Sequence, residues 1–253
     1  MPGSNGFEVT SVRGAVRALL IQINERQGKL RGFDQEQPMA DELYLGTFRE
    51  CRPDGTPLAT LLLAHGAGAG MDSPFLQQLA EELARRDVRT LRFEFPYMAR
   101  ARAEGKRRPP NPAPVLLEHW RAVVATWRAA ESGPLWLAGK SMGGRMASLL
   151  ADEVGAAGLV CLGYPFHPAG KPERLRTEHL ATLATPTLIV QGERDALGNR
   201  AEVTGYALAP ALEVHWIATA DHDLKPLKSS GLSQAQVLGD TAARVATFVR
   251  TSG

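Results

Sequence analysis

The sequence predicts an α/β protein: a mostly parallel central sheet of about seven or eight strands with helices on both faces and no large cap domain. Three observations predict it. Short apolar runs alternate with helical patterns at close spacing from about Leu43 to the C-terminus. Runs such as Leu58 to Ala64 are apolar nearly throughout, as strands covered on both faces are. Only 22 residues, Tyr164 to Thr185, separate the run Ala157 to Gly163 from the strand beginning at Pro186, which leaves no room for an inserted cap and predicts an open site.

Taken in order, residues 1–38 carry no motif and read as an N-terminal extension of uncertain structure, with Met39 as an alternative start; residues 39–253 read as a single domain. Leu43 to Glu50 alternates, and the turn Arg52-Pro53-Asp54-Gly55 joins it to Leu58 to Ala64, which predicts an antiparallel pair. Ser73-Pro74 supplies an N-cap and a proline at the first helical position, and Leu76, Leu79 and Leu83 form the buried stripe of a helix ending near Arg86. A strand from Val88 to Phe95 follows, then a long connection from Pro96 to Pro114. Leu116, Trp120, Val123, Val124 and Trp127 mark the inner face of the next helix. Beyond the run Ala157 to Gly163 the pattern predicts a short helix around Pro172 to Leu183 and a strand from Pro186 to Val190. A helix from Arg200 to Ala209, a strand from Leu212 to Ile217 and a last helix with Leu238, Val245, Phe248 and Val249 complete the chain.

Composition excludes several function classes. A 44% hydrophobic and 22% charged chain is globular, and a formal net charge of +2 predicts no general affinity for nucleic acid. No apolar stretch approaches the ~20 residues of a membrane span. Cys51 and Cys161 lie far apart with no metal-ligand spacing, so neither a disulfide framework, a metal site nor a cofactor is expected. The expectation is a cytoplasmic protein acting on a small molecule, with its oligomeric state unreadable.

The chemistry concentrates at Gly139-Lys140-Ser141-Met142-Gly143, which follows one apolar run and opens a helical pattern through Met146, Leu149, Leu150 and Val154. This is the G-x-S-x-G of a nucleophile elbow. A strand turning at once into a helix strains the serine backbone, and side chains at 139 and 143 would collide across so tight a turn. The turn lifts the serine hydroxyl off the sheet. A serine needs a base, and the base needs an acid that holds its tautomer. Asp195, in Gln191-Gly192-Glu193-Arg194-Asp195, and His222, in Ala220-Asp221-His222-Asp223, follow two successive strands and satisfy the order Ser, Asp, His. Asp221 and Asp223 shape that loop or tune the imidazole, and His65 holds its own loop by hydrogen bonds. His119, His179 and His215 fall within predicted helices or a strand, whereas His167, on a loop at the same sheet edge, is a further contact for substrate.

With its motifs laid out, the chain resembles the α/β-hydrolase superfamily, and within it the dienelactone-hydrolase-like branch of small, largely uncharacterised bacterial serine hydrolases. The resemblance runs from about Leu43 onward. It is carried by His65-Gly66-Ala67-Gly68-Ala69, Phe93-Glu94-Phe95-Pro96-Tyr97-Met98, Gly139 to Arg145, Gly163-Tyr164-Pro165-Phe166-His167-Pro168, Gly192 to Asp195 and Asp221-His222-Asp223. It implies the α/β-hydrolase fold, Ser141 as nucleophile, His222 as base, Asp195 as orienting acid, and the backbone N–H groups of Ala67 and Met142 as an oxyanion hole. Serine in place of cysteine at the elbow departs from true dienelactone hydrolases, so their substrate is not implied.

Three functions fit these residues: a serine hydrolase acting on an ester or thioester, an acyltransferase using the same triad, and a binding or scaffold protein that keeps the fold without the chemistry. The connection Pro96 to Pro114 holds Arg100, Arg102, Lys106, Arg107 and Arg108 against Glu104 alone. It is either a solvated basic loop or, through Arg107 and Arg108, a wall of the site that selects an anionic acyl substrate.

Overall fold

The computed structural model describes residues 48–252. The expected extension 1–38, Met39 and the first half of the strand expected from Leu43 lie outside the described residues. A seven-stranded sheet is built from β1 (Arg49–Cys51), β2 (Ala59–Ala64), β3 (Val88–Phe93), β4 (Leu135–Lys140), β5 (Gly158–Leu162), β6 (Thr187–Gly192) and β7 (Leu212–Ile217). The helices are α1 (Pro74–Ala84), α2 (Pro96–Glu104), α3 (Ala113–Ala130), α4 (Met142–Ser148), α5 (Arg200–Val203) and α6 (Gln234–Ser252).

The strand order is β1-β3-β2-β4-β5-β6-β7, parallel throughout except for β1. Successive residues of one strand point to opposite faces, and the core divides accordingly. Leu62, Leu91, Leu137, Leu159 and Ile189 pack with Trp120, Val123, Val124 and Trp127 of α3 and Met146 of α4. Leu61, Leu63, Trp136, Val160 and Val190 pack with Leu76, Leu79 and Leu83 of α1 and with Val245, Phe248 and Val249 of α6. Two-sided burial is why the central strands are continuous apolar runs. Each large side chain removed fully from water in this way contributes roughly 1.5–3 kcal/mol.

The first strand corrects one expectation. Arg49–Cys51 pairs antiparallel with β3, Arg49 opposite Arg92 and Cys51 opposite Thr90, and not with the strand that follows it in sequence. Both edges of β2 are taken by parallel neighbours, β3 and β4, so the turn at 52–55 delivers the chain two strands away. Helix α1 begins as its sequence predicts, with Ser73 Oγ accepting from the Leu76 N–H. Half of the expected connection from Pro96 is helical: α2 has proline at its start and closes on Gly105 with φ 64°. Its alanines, arginines and methionine favour helix, but Tyr97 is its one buried residue, so the sequence shows no apolar stripe. Conversely, the helix expected at 172–183 is a single 3-10 turn, Glu178–Ala181, and α5 stops at Val203. No cap domain interrupts the described residues. None of the described helices is long and apolar enough to cross a membrane.

The six parallel strands bring the connections that follow them to one edge of the sheet. Strand β4 lies beside β2, with Ala64 opposite Gly139, so the turn after Lys140 opens next to the loop beginning at His65. Strands β6 and β7 end in register, Gly192 opposite Ile217, and present the loops that carry Asp195 and His222.

Candidate active site

Ser141 separates β4 from α4 with φ 51° and ψ −116°, a conformation that side-chain-bearing residues rarely hold. Close approach demands the flanking glycines. A Cβ on Gly139 would lie 2.3 Å from the Gly144 nitrogen, and one on Gly143 would lie 2.5 Å from the His65 carbonyl oxygen. The second contact differs in kind from the expected collision across the turn: Gly143 is small because the loop after β2 passes beside the elbow.

The structure brings Ser141, His222 and Asp195 together. His222 Nε2 lies 2.8 Å from Ser141 Oγ, and its Nδ1 lies 2.7 Å from Asp195 Oδ2. A carboxylate accepts, so the ring hydrogen sits on Nδ1 and the Nε2 lone pair faces the serine hydroxyl. Asp195 is fully buried and held from three directions. Its Oδ1 accepts from the Leu197 N–H at 2.8 Å, its Oδ2 accepts from Gln191 Nε2 at 2.8 Å, and its own N–H donates to the Gly192 carbonyl at 3.1 Å. Gln191 had no sequence motif to announce it. Its amide also pairs with Tyr164, Oε1 accepting from the Tyr164 N–H at 2.7 Å, and so ties the β5 loop to the acid.

His65 and Tyr97 shape the loop that carries Ala67. The Phe95 N–H donates to His65 Nε2 at 3.0 Å, which leaves Nδ1 protonated and donating to the Gly66 carbonyl at 2.6 Å. Burial pulls the His65 pKa down to about 4, which keeps this ring neutral. The Tyr97 hydroxyl also reaches the Gly66 and Ala67 carbonyls, at 3.1 and 3.0 Å. In a trans peptide the carbonyl and the following N–H point in opposite directions. The His65 N–H on Gly66 O therefore aims the Ala67 N–H away from His65, and the single Tyr97 hydrogen is shared between the two carbonyls. Gly66 itself lies against the elbow, since a Cβ there would stand 3.6 Å from Ser141 Cβ.

The remaining sequence candidates fare differently. His167 is buried, with Nδ1 at 2.9 Å from the Pro168 carbonyl and Nε2 at 3.3 Å from Glu202 Oε2, so it packs the loop and offers no nitrogen to a substrate; this corrects its expected role. Arg108 is turned onto Glu104, with nitrogen to oxygen distances of 2.7 and 2.9 Å. Arg102 forks between Asp72 at 2.7 Å and Glu94 at 2.6 Å. Arg107 stays exposed, beside Gly70, Asp72 and Met98 in a shallow depression.

A family model described as an alpha/beta hydrolase domain matches residues 57–250, and the chain belongs to that family. Solved structures share the architecture. An alpha-beta serine hydrolase homologue from Coxiella burnetii is 22% identical with a TM-score of 0.61, over 78% of this chain and 90% of that one. A serine hydrolase without lid from Xanthomonas campestris is 18% identical with a TM-score of 0.62, over 81% and 88%. A dienelactone hydrolase from Anabaena variabilis is 19% identical with a TM-score of 0.61, over 80% and 89%. At these identities the likeness speaks for the fold.

Proposed function

We propose that the chain is a serine hydrolase cleaving an ester or thioester through a Ser141–His222–Asp195 triad and an acyl-enzyme. The observation that carries this reading is the unbroken polarity of the three side chains: Asp195 accepts from Nδ1–H, and Nε2 accepts from the Ser141 hydroxyl. Ser141 Oγ attacks the acyl carbon while its proton passes to Nε2, and Asp195 stabilises the imidazolium so formed. The tetrahedral oxyanion takes hydrogen bonds from the Ala67 and Met142 N–H groups. Collapse expels the alcohol or thiol, protonated by His222. Water then enters with its proton going to the same nitrogen, and Ser141 is released with the carboxylic acid.

The short connection after β5 builds no lid among the described residues, and one similar structure is of a serine hydrolase without lid, which supports hydrolysis over transfer. An anionic acyl group is not part of the proposal, because Arg102 and Arg108 already hold carboxylates of this chain. A panel of p-nitrophenyl esters of graded chain length, with and without a terminal carboxylate, tests it. Turnover of at least one ester that disappears in Ser141→Ala is the expected result. A well-folded protein that turns over none and is not labelled by a fluorophosphonate overturns it in favour of the scaffold reading.

A further inference from the structure

Lys140 ends β4 immediately before Ser141, and it is 8% exposed. A buried ammonium is rare unless it is hydrogen-bonded and paired. Nζ donates to the backbone carbonyl of His222 at 2.9 Å, pairs with Asp223 Oδ1 at 3.2 Å, and lies 5.8 Å from the centroid of the Phe75 ring. Space for this contact is kept by Gly163. At φ 64° a Cβ there would lie 2.6 Å from the His222 carbonyl oxygen and 3.3 Å from Nζ.

The base needs such a tether. His222 stands on an irregular loop between Ile217 and the 3-10 turn at Lys228, with Thr219 at φ 58° and Leu224 at φ 53°. The bonds around Asp221 fold this loop upon itself: its N–H donates to the Lys225 carbonyl at 3.0 Å, and its Oδ1 accepts from the Asp223 N–H at 2.9 Å. None of these reaches the nucleophile. The Lys140 ammonium crosses from the strand that carries Ser141 to the peptide that carries His222. We propose that Lys140 is a positioning residue, anchored on Asp223, that holds the His222 carbonyl so that Nε2 stays within hydrogen-bond distance of Ser141 Oγ. The inference rests on reading Ser141 and His222 as nucleophile and base.

Burial pulls the Lys140 pKa down, and Asp223, then Asp195 and Asp221, pull it back up, so the carboxylates of the site favour the charged form of the tether.

The test measures fluorophosphonate labelling rate, kcat and KM in the wild type, Lys140→Met and Asp223→Asn, with folding followed by circular dichroism. Lys140→Met is expected to slow labelling and lower kcat by about 10- to 100-fold, with KM within about 2-fold. Asp223→Asn, at an exposed side chain, removes only the anchor and is expected to lower kcat by about 3-fold with KM unchanged. Should Lys140→Met not fold, Asp223→Asn decides alone: a wild-type labelling rate overturns the proposal. Labelled wild type with Lys140→Met equally fast, or with KM raised and kcat unchanged, overturns it and leaves the triad standing. Wild type that does not label overturns both.

Discussion

Among the described residues two serine–histidine pairs have equal length, and only one has the polarity that proton transfer from serine needs. Ser141 Oγ to His222 Nε2 and Ser148 Oγ to His179 Nε2 both measure 2.8 Å. Their hydrogens run in opposite directions. Ser148 sits in α4 and donates its one proton to the Arg145 carbonyl at 2.8 Å, so His179 supplies the hydrogen between the pair. At Ser141 the serine donates and the ring accepts. The charges differ as well. Buried Asp195 faces His222 Nδ1, whereas the charge beside His179 is Arg145, a cation, and burial with that cation pulls the His179 pKa down to about 4. A base must hold a proton in the transition state, and His179 is placed where a proton is least welcome. Ser148 is also 2% exposed, while Ser141 stands free of the sheet on a strained turn. Contact distance alone therefore does not separate the two serines; hydrogen-bond polarity and the charge behind the imidazole do, and both favour Ser141 as the proposed nucleophile.

The sharpest way to break this comparison is to exchange the serines one at a time. Ser141→Ala is expected to abolish fluorophosphonate labelling with no loss of fold, and Ser148→Ala to leave labelling at Ser141 intact; peptide mapping of the modified serine decides between them. Asp195→Asn should lower kcat by about 10⁴. The amide keeps the shape but carries no charge and has one acceptor oxygen where Asp195 uses two, so it no longer stabilises the imidazolium and His222 becomes a poor base. Thermal denaturation should show a far smaller change than the kinetics.

A third test uses pH. Burial lowers the pKa of His65, His119 and His179 from 6.5 to about 4, so the unfolded chain takes up protons that the folded chain refuses. Stability present above about pH 6.5 is then lost as pH falls toward 4. Urea midpoints between pH 7 and 4.5 should fall, and His179→Gln should flatten part of that slope. An unchanged slope in the variant would show that the Ser148 pair carries no such linkage. The smallest effect is on stability: Ser148→Ala removes a helix back-bond and a partner of His179, a loss of about 1 kcal/mol with kcat unaltered.

Legibility followed locality. The glycines around Ser141 and the order Ser141, Asp195, His222 could be read because an elbow and two strand-end loops each occupy a few adjacent residues. The partner of β1 could not, since it depends on which edges of β2 were already filled. Helix α2 was hidden by having one buried residue, and the cations of that segment looked free because Asp72 and Glu94, which hold Arg102, lie outside the connection. His167 lies on a loop as expected but is buried, with Pro168 and Glu202 on its two nitrogens.

The sequence by itself determined the alternation of strands and helices, the two-sided burial of the sheet, the strained serine and the set of residues that gather at one edge. Each follows from a period, a glycine or a chain order, all of which are local. Only the tertiary structure decided which contacts have the right polarity. Gln191 behind Asp195, Lys140 across to the His222 carbonyl, Tyr97 on the Gly66 peptide and Arg145 beside His179 join positions distant in sequence. A hydrogen bond is defined by distance and direction in space, and a linear pattern records neither.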